Sequence, residues 1–127
     1  MKKLWDKLAK TNSKYYINSD KGRGITEEEF RYSGEIDYDD YIYSDHDFLF
    51  ERFIRTRSST CLEIGCGTGR MTEFISRDFR YVVGIDISGE MIKQAKQRLE
   101  KLNNLALIET DGKTIPLKDN SIDFVFL

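Results

Sequence analysis

The 127-residue sequence has few of the residues that mark secreted, metal-binding or membrane-spanning proteins. Its two cysteines, Cys61 and Cys66, have no partners at metal-ligand spacing, and a disulfide between them would distort the turn in which they lie. We therefore expect reduced thiols, no bound metal and a cytoplasmic location. No apolar run reaches the length of a transmembrane helix, and the basic N-terminal residues lack the apolar segment of a signal peptide.

The sequence also lacks an excess of positive charge, since its formal net charge is -2 at pH 7. A surface that binds nucleic acid normally presents clustered lysine and arginine residues, and the sequence contains no such cluster. Neither a nucleic-acid partner nor a membrane partner is therefore expected. The length is that of a single domain that can bury a substantial core.

The most informative stretch runs from Cys61 to Arg70, where a short apolar run is followed by three glycines at alternate positions, Gly65, Gly67 and Gly69. The pattern predicts a buried strand that ends at Ile64, a tight turn, and a helix that begins near Thr68. Glycine is needed where the backbone takes a positive φ or where a ligand lies directly against it. Unpaired N–H groups at the helix start would face the same crevice. The stretch therefore indicates a ligand-binding turn at the carboxyl end of a parallel strand.

Residues 58–127 alternate between apolar strands and amphipathic helices. Strands are predicted at 61–64, 81–85, 105–108 and 122–127, and helices at about 68–77 and from Ser88 to about Leu102. This order implies right-handed crossovers, so we predict the α/β class, with a Rossmann-like parallel sheet of about four strands and crossover helices. The sequence ends within an apolar run, with no helix to cover the last strand. We therefore expect a missing C-terminal half, or an oligomer or partner that covers this strand.

Residues 1–57 are predicted to form an N-terminal helical lid or extension. A first amphipathic helix carries Leu4, Trp5 and Leu8 on one face and ends near Asn12. A capping box formed by Thr26 and Glu29 predicts a second helix that ends near Tyr32, because Ser33 and Gly34 follow.

An acidic, tyrosine-rich loop is expected over residues 35–47. A second capping box, Ser44 with Asp47, predicts a further helix over residues 48–56. The only histidine, His46, lies in this region and is the one candidate for a general base, although most surface histidines have no catalytic role. No catalytic residue is identified.

Four further positions lie at the ends of the predicted strands. Asp86 ends strand two, about 20 residues after the glycine turn, where a carboxylate can accept hydrogen bonds from both hydroxyls of a ribose. Asp111, followed by Gly112, could reach the amino group of an adenine, and Ile87 offers the ring an apolar surface. Structural roles remain open: Asp111 could cap the next turn, and Glu63, inside strand one, could pair with a helix N-terminus.

The glycine spacing distinguishes between nucleotide ligands. Dinucleotide-binding folds use Gly-x-Gly-x-x-Gly, whereas here the third glycine comes one position early and residue 70 is Arg. Glu63 would repel a pyrophosphate but would suit an ammonium group. The pattern therefore favours an adenosine ligand with a zwitterionic tail over a nicotinamide dinucleotide.

Four motifs occur in order: Glu-Ile-Gly-Cys-Gly-Thr-Gly, Gly-Ile-Asp-Ile-Ser, Glu-Thr-Asp-Gly and Ile-Pro-Leu-Lys-Asp-Asn-Ser-Ile-Asp-Phe-Val. Together they resemble the class I S-adenosylmethionine-dependent methyltransferases over about residues 59–127. The resemblance implies S-adenosylmethionine as the cofactor. It implies Glu63, Gly65 and Gly67 around the methionine part of the cofactor. Cys66 lies in the same turn and is included among the cofactor-binding residues, although its thiol is expected to fill a small site there.

The same resemblance implies that Asp86 binds the ribose, that Ile87 lies against the adenine, and that Asp111 with Gly112 lies at the adenine edge. It also implies that the N-terminal helices form the lid, with Trp5, Tyr15 or Tyr16 near the cofactor or substrate.

The expected function is transfer of a methyl group from S-adenosylmethionine to a small-molecule acceptor. The alternative is a non-catalytic module that binds S-adenosylmethionine or S-adenosylhomocysteine, because the family's acceptor loop and its strands five to seven are absent from this sequence. A nicotinamide oxidoreductase is disfavoured by the early third glycine and by Glu63.

Overall fold

A computed structural model of the chain describes residues 1–44 and 56–127. Its helices are α1 (Lys2–Ile17), α2 (Glu27–Tyr38), α3 (Thr72–Asp78) and α4 (Gly89–Arg98). Its strands are β1 (Thr60–Ile64), β2 (Tyr81–Asp86), β3 (Leu105–Glu109) and β4 (Phe124–Phe126). Short 3₁₀ turns lie at Ser19–Lys21 and Thr56–Ser58, and a π-helical turn at Asp39–Tyr43 continues α2. Within the described ranges, no helix is long and apolar enough to cross a membrane.

The strands form one parallel sheet in the order β3-β2-β1-β4. β1 pairs with β2 as far as Ile64 opposite Ile85, and β2 pairs with β3 as far as Asp86 opposite Glu109. The predicted α/β, Rossmann-like sheet is therefore confirmed, although β4 is shorter than the predicted strand over residues 122–127. Because all four strands are parallel, their carboxyl ends meet at one edge of the sheet.

The two faces of the sheet bury different apolar clusters. On one face, α2 and α3 pack against β1 and β2, with Phe74 and Ile75 fully buried. α4 packs beside them on Leu107 of β3. On the other face, Leu62, Val83 and Ile85 form a cluster with side chains from the β3–β4 connection. Successive strand residues thus point to opposite faces, as the pleat requires.

α1 is longer than the sequence predicts. Asn12, the predicted end, does leave helical geometry (φ -165°, ψ 82°), but the helix resumes and continues to Ile17. The Asn12 side chain stabilises the break, because its Oδ1 accepts a hydrogen bond from the Tyr15 amide (3.2 Å) and its Nδ2 donates to the Arg23 carbonyl (2.9 Å). The asparagine therefore kinks the helix and caps its last turn.

α2 begins as predicted but does not end at Ser33–Gly34. The capping box is confirmed, since Thr26 Oγ1 accepts from the Glu29 amide (3.1 Å) and Glu29 Oε2 accepts from the Thr26 amide (2.9 Å). A Cβ at Gly34 would lie 2.7 Å from the Arg70 carbonyl oxygen. Glycine thus permits a close approach of α2 to the segment before α3, and this packing outweighs the roughly 1 kcal/mol cost of a helical glycine.

The predicted acidic loop over residues 35–47 is helical as far as Tyr43. Tyr38 and Ile42, which belong to this segment, are buried in the core, and the Tyr38 hydroxyl donates a hydrogen bond to Asp78 Oδ2. The loop prediction is therefore wrong for residues 35–43, because these two side chains, which lie on one face of the helical segment, pack on α3 and β1.

Other predictions concern boundaries. The predicted capping box of Ser44 with Asp47 and the helix over residues 48–56 depend on residues 45–55, which also include His46 and lie outside the described ranges. The division between residues 1–57 and 58–127 stays a prediction. α4 ends at Arg98 rather than near Leu102, because Leu99 leaves helical geometry and a turn follows.

Candidate cofactor site

A cavity of about 640 Å³ opens where β1, β2 and β3 end at the carboxyl edge of the sheet. Its volume lies in the range typical of small-molecule sites. Five of the eight residues proposed from the sequence line it, namely Gly65, Gly67, Asp86, Ile87 and Gly112. The other three, Glu63, Cys66 and Asp111, lie outside its lining.

The glycine turn forms one wall of the cavity. The amides of Gly65 and Cys66 both donate to the Ile85 carbonyl (2.8 and 3.1 Å), which ties the turn to the end of β2. Helix α3 begins at Thr72 rather than near Thr68, because Gly69 has a φ of 78° that no α-helix contains. The predicted row of free helix N-terminal amides therefore does not line the cavity, and the turn's own backbone does.

Asp86 connects this turn to the end of β2. Its Oδ2 accepts a hydrogen bond from the Gly67 amide (2.9 Å), and its Oδ1 accepts one from the Ser88 amide (2.8 Å). The carboxylate is therefore fixed in orientation at the cavity wall. Because an ionised carboxylate has about four acceptor positions, both oxygens can still accept hydrogen bonds from a ligand.

The opposite wall is formed by Ile87 and the loop that follows β3. A Cβ at Gly112 would lie 2.8 Å from Ile87 Cγ2, so the glycine allows this loop to pack directly on the isoleucine. Thr110 and residues 113–115 continue the same wall. The cavity thus places the Asp86 carboxylate beside the apolar surface of Ile87, which suits a heteroaromatic ring joined to a hydroxylated group.

Glu63 lies beneath the turn, where it is 4% exposed. Its Oε2 accepts a hydrogen bond from Thr72 Oγ1 (2.5 Å). Burial raises the pKa of Glu63 to about 7, although the Thr72 hydroxyl and the Arg70 guanidinium lower it in part and Asp86 adds to the rise. The predicted contact of Glu63 with an ammonium group stays a prediction.

Cys66 and Asp111 have structural contacts of their own. The Cys66 side chain packs with Ile92, Ala95 and Leu107, and burial raises the pKa of its thiol. Asp111 is exposed, and its Oδ1 accepts hydrogen bonds from the amides of Lys113 and Thr114 (2.8 Å each), which lower its pKa. This is the turn-capping geometry, the structural alternative to an adenine contact for Asp111.

Helix α1 covers the cavity. Trp5 and Tyr16, two of the three aromatic residues predicted near the ligand, line it together with Ile17. Tyr15 is not in the lining and packs edge-on against Tyr16, with ring centroids 5.0 Å apart. Ile17 was not among the residues predicted near the ligand, because the helix was predicted to end near Asn12. The apolar residues after Asn12 were the signal that the helix continues.

Asp6 attaches α1 to the start of α4. Its Oδ1 accepts hydrogen bonds from Ser88 Oγ (2.7 Å) and from the Glu90 amide (3.3 Å), and these bonds lower its pKa. Farther along, Gln94 Nε2 donates to the Ala9 carbonyl (3.1 Å). The position of Trp5 over the cavity therefore depends on a few polar contacts between the two helices.

We expect Asp6→Ala to accelerate hydrogen exchange of the amides around Trp5 by roughly threefold to tenfold, because α1 loses two hydrogen bonds to α4. Exchange in the β1–β2 ladder should not change. Hydrogen-exchange mass spectrometry measures both, and Asp20→Ala, which removes an exposed carboxylate from the turn after α1, is the matched control. Equal exchange of α1 in the two variants would show that Asp6 does not hold the helix.

Residues 62–127 match the family model described as "Methyltransferase domain". With this match the chain belongs to the class I S-adenosylmethionine-dependent methyltransferase family. It is 37% identical over 79 residues to a protein of Archaeoglobus fulgidus described as "Probable cobalt-precorrin-6B C(15)-methyltransferase (decarboxylating)". The aligned residues cover 62% of this chain and 47% of the relative. It is 33% identical over 70 residues to the demethylmenaquinone methyltransferase of Staphylococcus haemolyticus, and this alignment covers 53% of this chain and 29% of that relative. The chain thus spans about half the length of these relatives or less.

Solved structures share the fold. A S-adenosylmethionine-dependent methyltransferase from Aquifex aeolicus superposes with a TM-score of 0.56 at 23% identity, over 75% of this chain and 54% of that protein. A second superposition, with a TM-score of 0.51 at 21% identity, is with phosphoethanolamine N-methyltransferase 1 of Haemonchus contortus, solved with phosphoethanolamine and S-adenosylhomocysteine. It covers 80% of this chain and 26% of that protein. At these identities the likeness establishes the Rossmann-like fold of the chain.

Proposed function

We propose that the chain binds S-adenosylmethionine in the cavity at the carboxyl edge of the sheet and is part of a methyltransferase. The observation that carries this proposal is the fixed Asp86 carboxylate between the glycine turn and Ile87, in a chain of the methyltransferase family. The residues present fit the cofactor, since the backbone at Gly67 is bare, Asp86 has free acceptor positions and Ile87 is apolar.

Each part of the cofactor has a proposed contact. Asp86 accepts hydrogen bonds from the ribose hydroxyls, and Ile87 with Gly112 contacts the adenine. Gly65 and Gly67 lie along the methionine part, whose ammonium group approaches Glu63. For Asp111 we propose a contact at the adenine edge, made by the carboxylate oxygen Oδ2. Oδ1 accepts from two amides at 2.8 Å, whereas Oδ2 accepts only a longer bond from Thr114 Oγ1 (3.4 Å) and has acceptor positions left.

When bound, the cofactor supplies an electrophilic methyl group for in-line displacement by a nucleophilic acceptor. The chain's own contribution is position. Trp5, Tyr16 and Ile17 of α1 line one side of the cavity, where they reduce the access of water to the ligand, and Asp86 orients the ligand. Placing two reactants in near-attack geometry can contribute roughly 7–11 kcal/mol to catalysis.

For the acceptor we propose a small molecule. The names of two relatives, one acting on a cobalt-precorrin and the other on demethylmenaquinone, support this class. Methyl release from radiolabelled S-adenosylmethionine with a panel of small-molecule acceptors tests it. Binding of the cofactor without turnover on any acceptor would instead support a non-catalytic binding module.

We expect Asp86→Ala to weaken binding of S-adenosylmethionine by at least about tenfold, because the ribose loses a charged acceptor. Isothermal titration calorimetry measures the change, and Asp119→Ala, which removes an exposed carboxylate from the β3–β4 connection, is the matched control. NAD should bind neither the wild type nor either variant. Asp86→Ala also removes the acceptor of the Gly67 and Ser88 amides, which lowers the stability of the turn. Thermal melting of each variant therefore separates a loss of binding from unfolding. Unchanged affinity in a folded Asp86→Ala protein would contradict the assignment.

A further inference from the structure

We propose that a second cleft, on the far side of the glycine turn, binds the oxyanion group of a small molecule, a carboxylate or a phosphate, between Thr68 and Arg98. The cleft has a volume of about 500 Å³ and lies between α1, α2 and α4. Its lining includes Lys14, Glu27 and Gln94. It shares no lining residue with the cofactor cavity among the residues that the structure describes.

The first observation is that two polar groups of this cleft have no partner. In the described part of the chain, Thr68 Oγ1 and Arg98 Nη1 are buried and make no hydrogen bond. Thr68 is 4% exposed, so its hydroxyl is among the most buried polar groups of the protein. Buried donors are almost always paired in native proteins. Because both residues line the same cleft, a ligand there that accepts hydrogen bonds from both atoms would supply the missing partners.

The second observation is the way in which Arg98 is held. Its Nε donates to Glu27 Oε1 (2.8 Å), and its Nη2 contacts Glu73 Oε2 (3.3 Å). The guanidinium plane is thus fixed by two carboxylates, while Nη1 is left for a third acceptor. A planar, fixed guanidinium is well suited to bind an oxyanion.

The third observation is the charge of the surrounding ion-pair network. Glu27 also contacts Lys14, and Glu73 also contacts Arg31 and Arg77. Arg77 in turn contacts Glu35. Among the described residues that line the cleft itself, Lys14 and Arg98 are cations and Glu27 is an anion, which leaves one positive charge in excess. A monoanion complements this charge, whereas a cation would not.

Titration of the full chain with acetate, inorganic phosphate and neutral acetamide, at constant ionic strength, tests the proposal. In ¹H–¹⁵N spectra, at least one anion should shift the amides of Thr68 and Arg98 with a Kd of about 1 mM or tighter, and acetamide should bind at least tenfold more weakly. The amides of Ile87 and Gly112 should not move, which separates this cleft from the cofactor cavity. Shifts confined to the cofactor cavity, or no saturation by about 10 mM of either anion, would overturn the proposal.

Two variants separate an oxyanion site from a pair of hydrated groups. Thr68→Val removes the hydroxyl at nearly constant volume, so anion affinity should fall about fivefold while the melting temperature of the anion-free protein rises. Arg98→Met should weaken the anion at least tenfold, and Lys96→Met, on the exposed face of α4, should leave it unchanged. If Thr68→Val and Lys96→Met bind the anion equally well, water alone satisfies the two groups and the site does not exist.

Discussion

Replacement of Gly67 by valine is expected to reduce S-adenosylmethionine binding by at least about a hundredfold. Gly67 has a φ of 55°, in the left-handed region that a β-branched residue rarely adopts. A Cβ at this position would lie 3.3 Å from Ile17 Cδ1, so the two methyl groups of valine would displace α1 or project into the cavity. The displaced turn would also lose the hydrogen bond from the Gly67 amide to Asp86.

Calorimetric titration of the cofactor measures the loss, and Gly22→Val is the control. Gly22 also has a positive φ, of 79°, but nothing lies within 4 Å of its Cβ position and it does not line the cavity. Both variants carry a backbone cost, of roughly 1–2 kcal/mol at the left-handed Gly67 and of about 1–3 kcal/mol at Gly22, whose ψ is 176°. Thermal melting reports this cost, but only Gly67→Val should lose binding. Retained binding in Gly67→Val would show that the ligand does not lie against this backbone.

The sheet and the glycine turn could be predicted because their causes are local. Apolar, β-branched runs such as Tyr81–Asp86 form strands wherever they can be buried, and glycines at alternate positions exclude both helix and strand. The position of Asp86 follows once two strands are known to be parallel, since their carboxyl ends then meet at one edge. These inferences needed no knowledge of distant contacts.

The errors arose where a distant contact decides the outcome. Ser33–Gly34 is a helix-breaking pair by propensity, but the glycine lies where α2 touches the Arg70 carbonyl, which only the folded chain brings there. Tyr38 and Ile42 are hidden in an acidic segment because their partners, including Phe74 and Cys61, are far away in the sequence. Asp111 could be placed after β3, but its choice between a ligand and the Lys113 and Thr114 amides depends on side-chain orientation.

Glu63 shows how burial makes a sequence motif sensitive to pH. Its carboxyl group has a pKa of about 7 in the folded protein against an ordinary value of 4.5, chiefly because burial penalises the charged form. The folded state therefore binds this proton more tightly than the unfolded state does. Between these two pH values stability falls as the pH rises, and above about pH 7 the loss levels off at roughly 3 kcal/mol.

Glu63→Gln should therefore be more stable than the wild type above neutral pH, by roughly 3 kcal/mol, and the two proteins should converge toward about pH 4.5. The amide keeps an oxygen that accepts the Thr72 hydroxyl, so the packing beneath the turn is preserved. Urea denaturation from about pH 5 to pH 8 measures the difference. Glu100→Gln, an exposed carboxylate after α4, should show no such dependence.

Cofactor binding should respond to the same ionisation in the opposite direction. Only the ionised carboxylate attracts an ammonium group, so the affinity of the wild type for S-adenosylmethionine should rise as the pH passes through about 7. In Glu63→Gln the affinity should be lower at alkaline pH and should lose this rise. If the two proteins bind equally while the stability difference is observed, Glu63 is a buried structural acid beneath the turn and the ammonium group is held by other residues. If both the stability difference and the rise in affinity are absent, Glu63 does not have the raised pKa on which its role in binding depends.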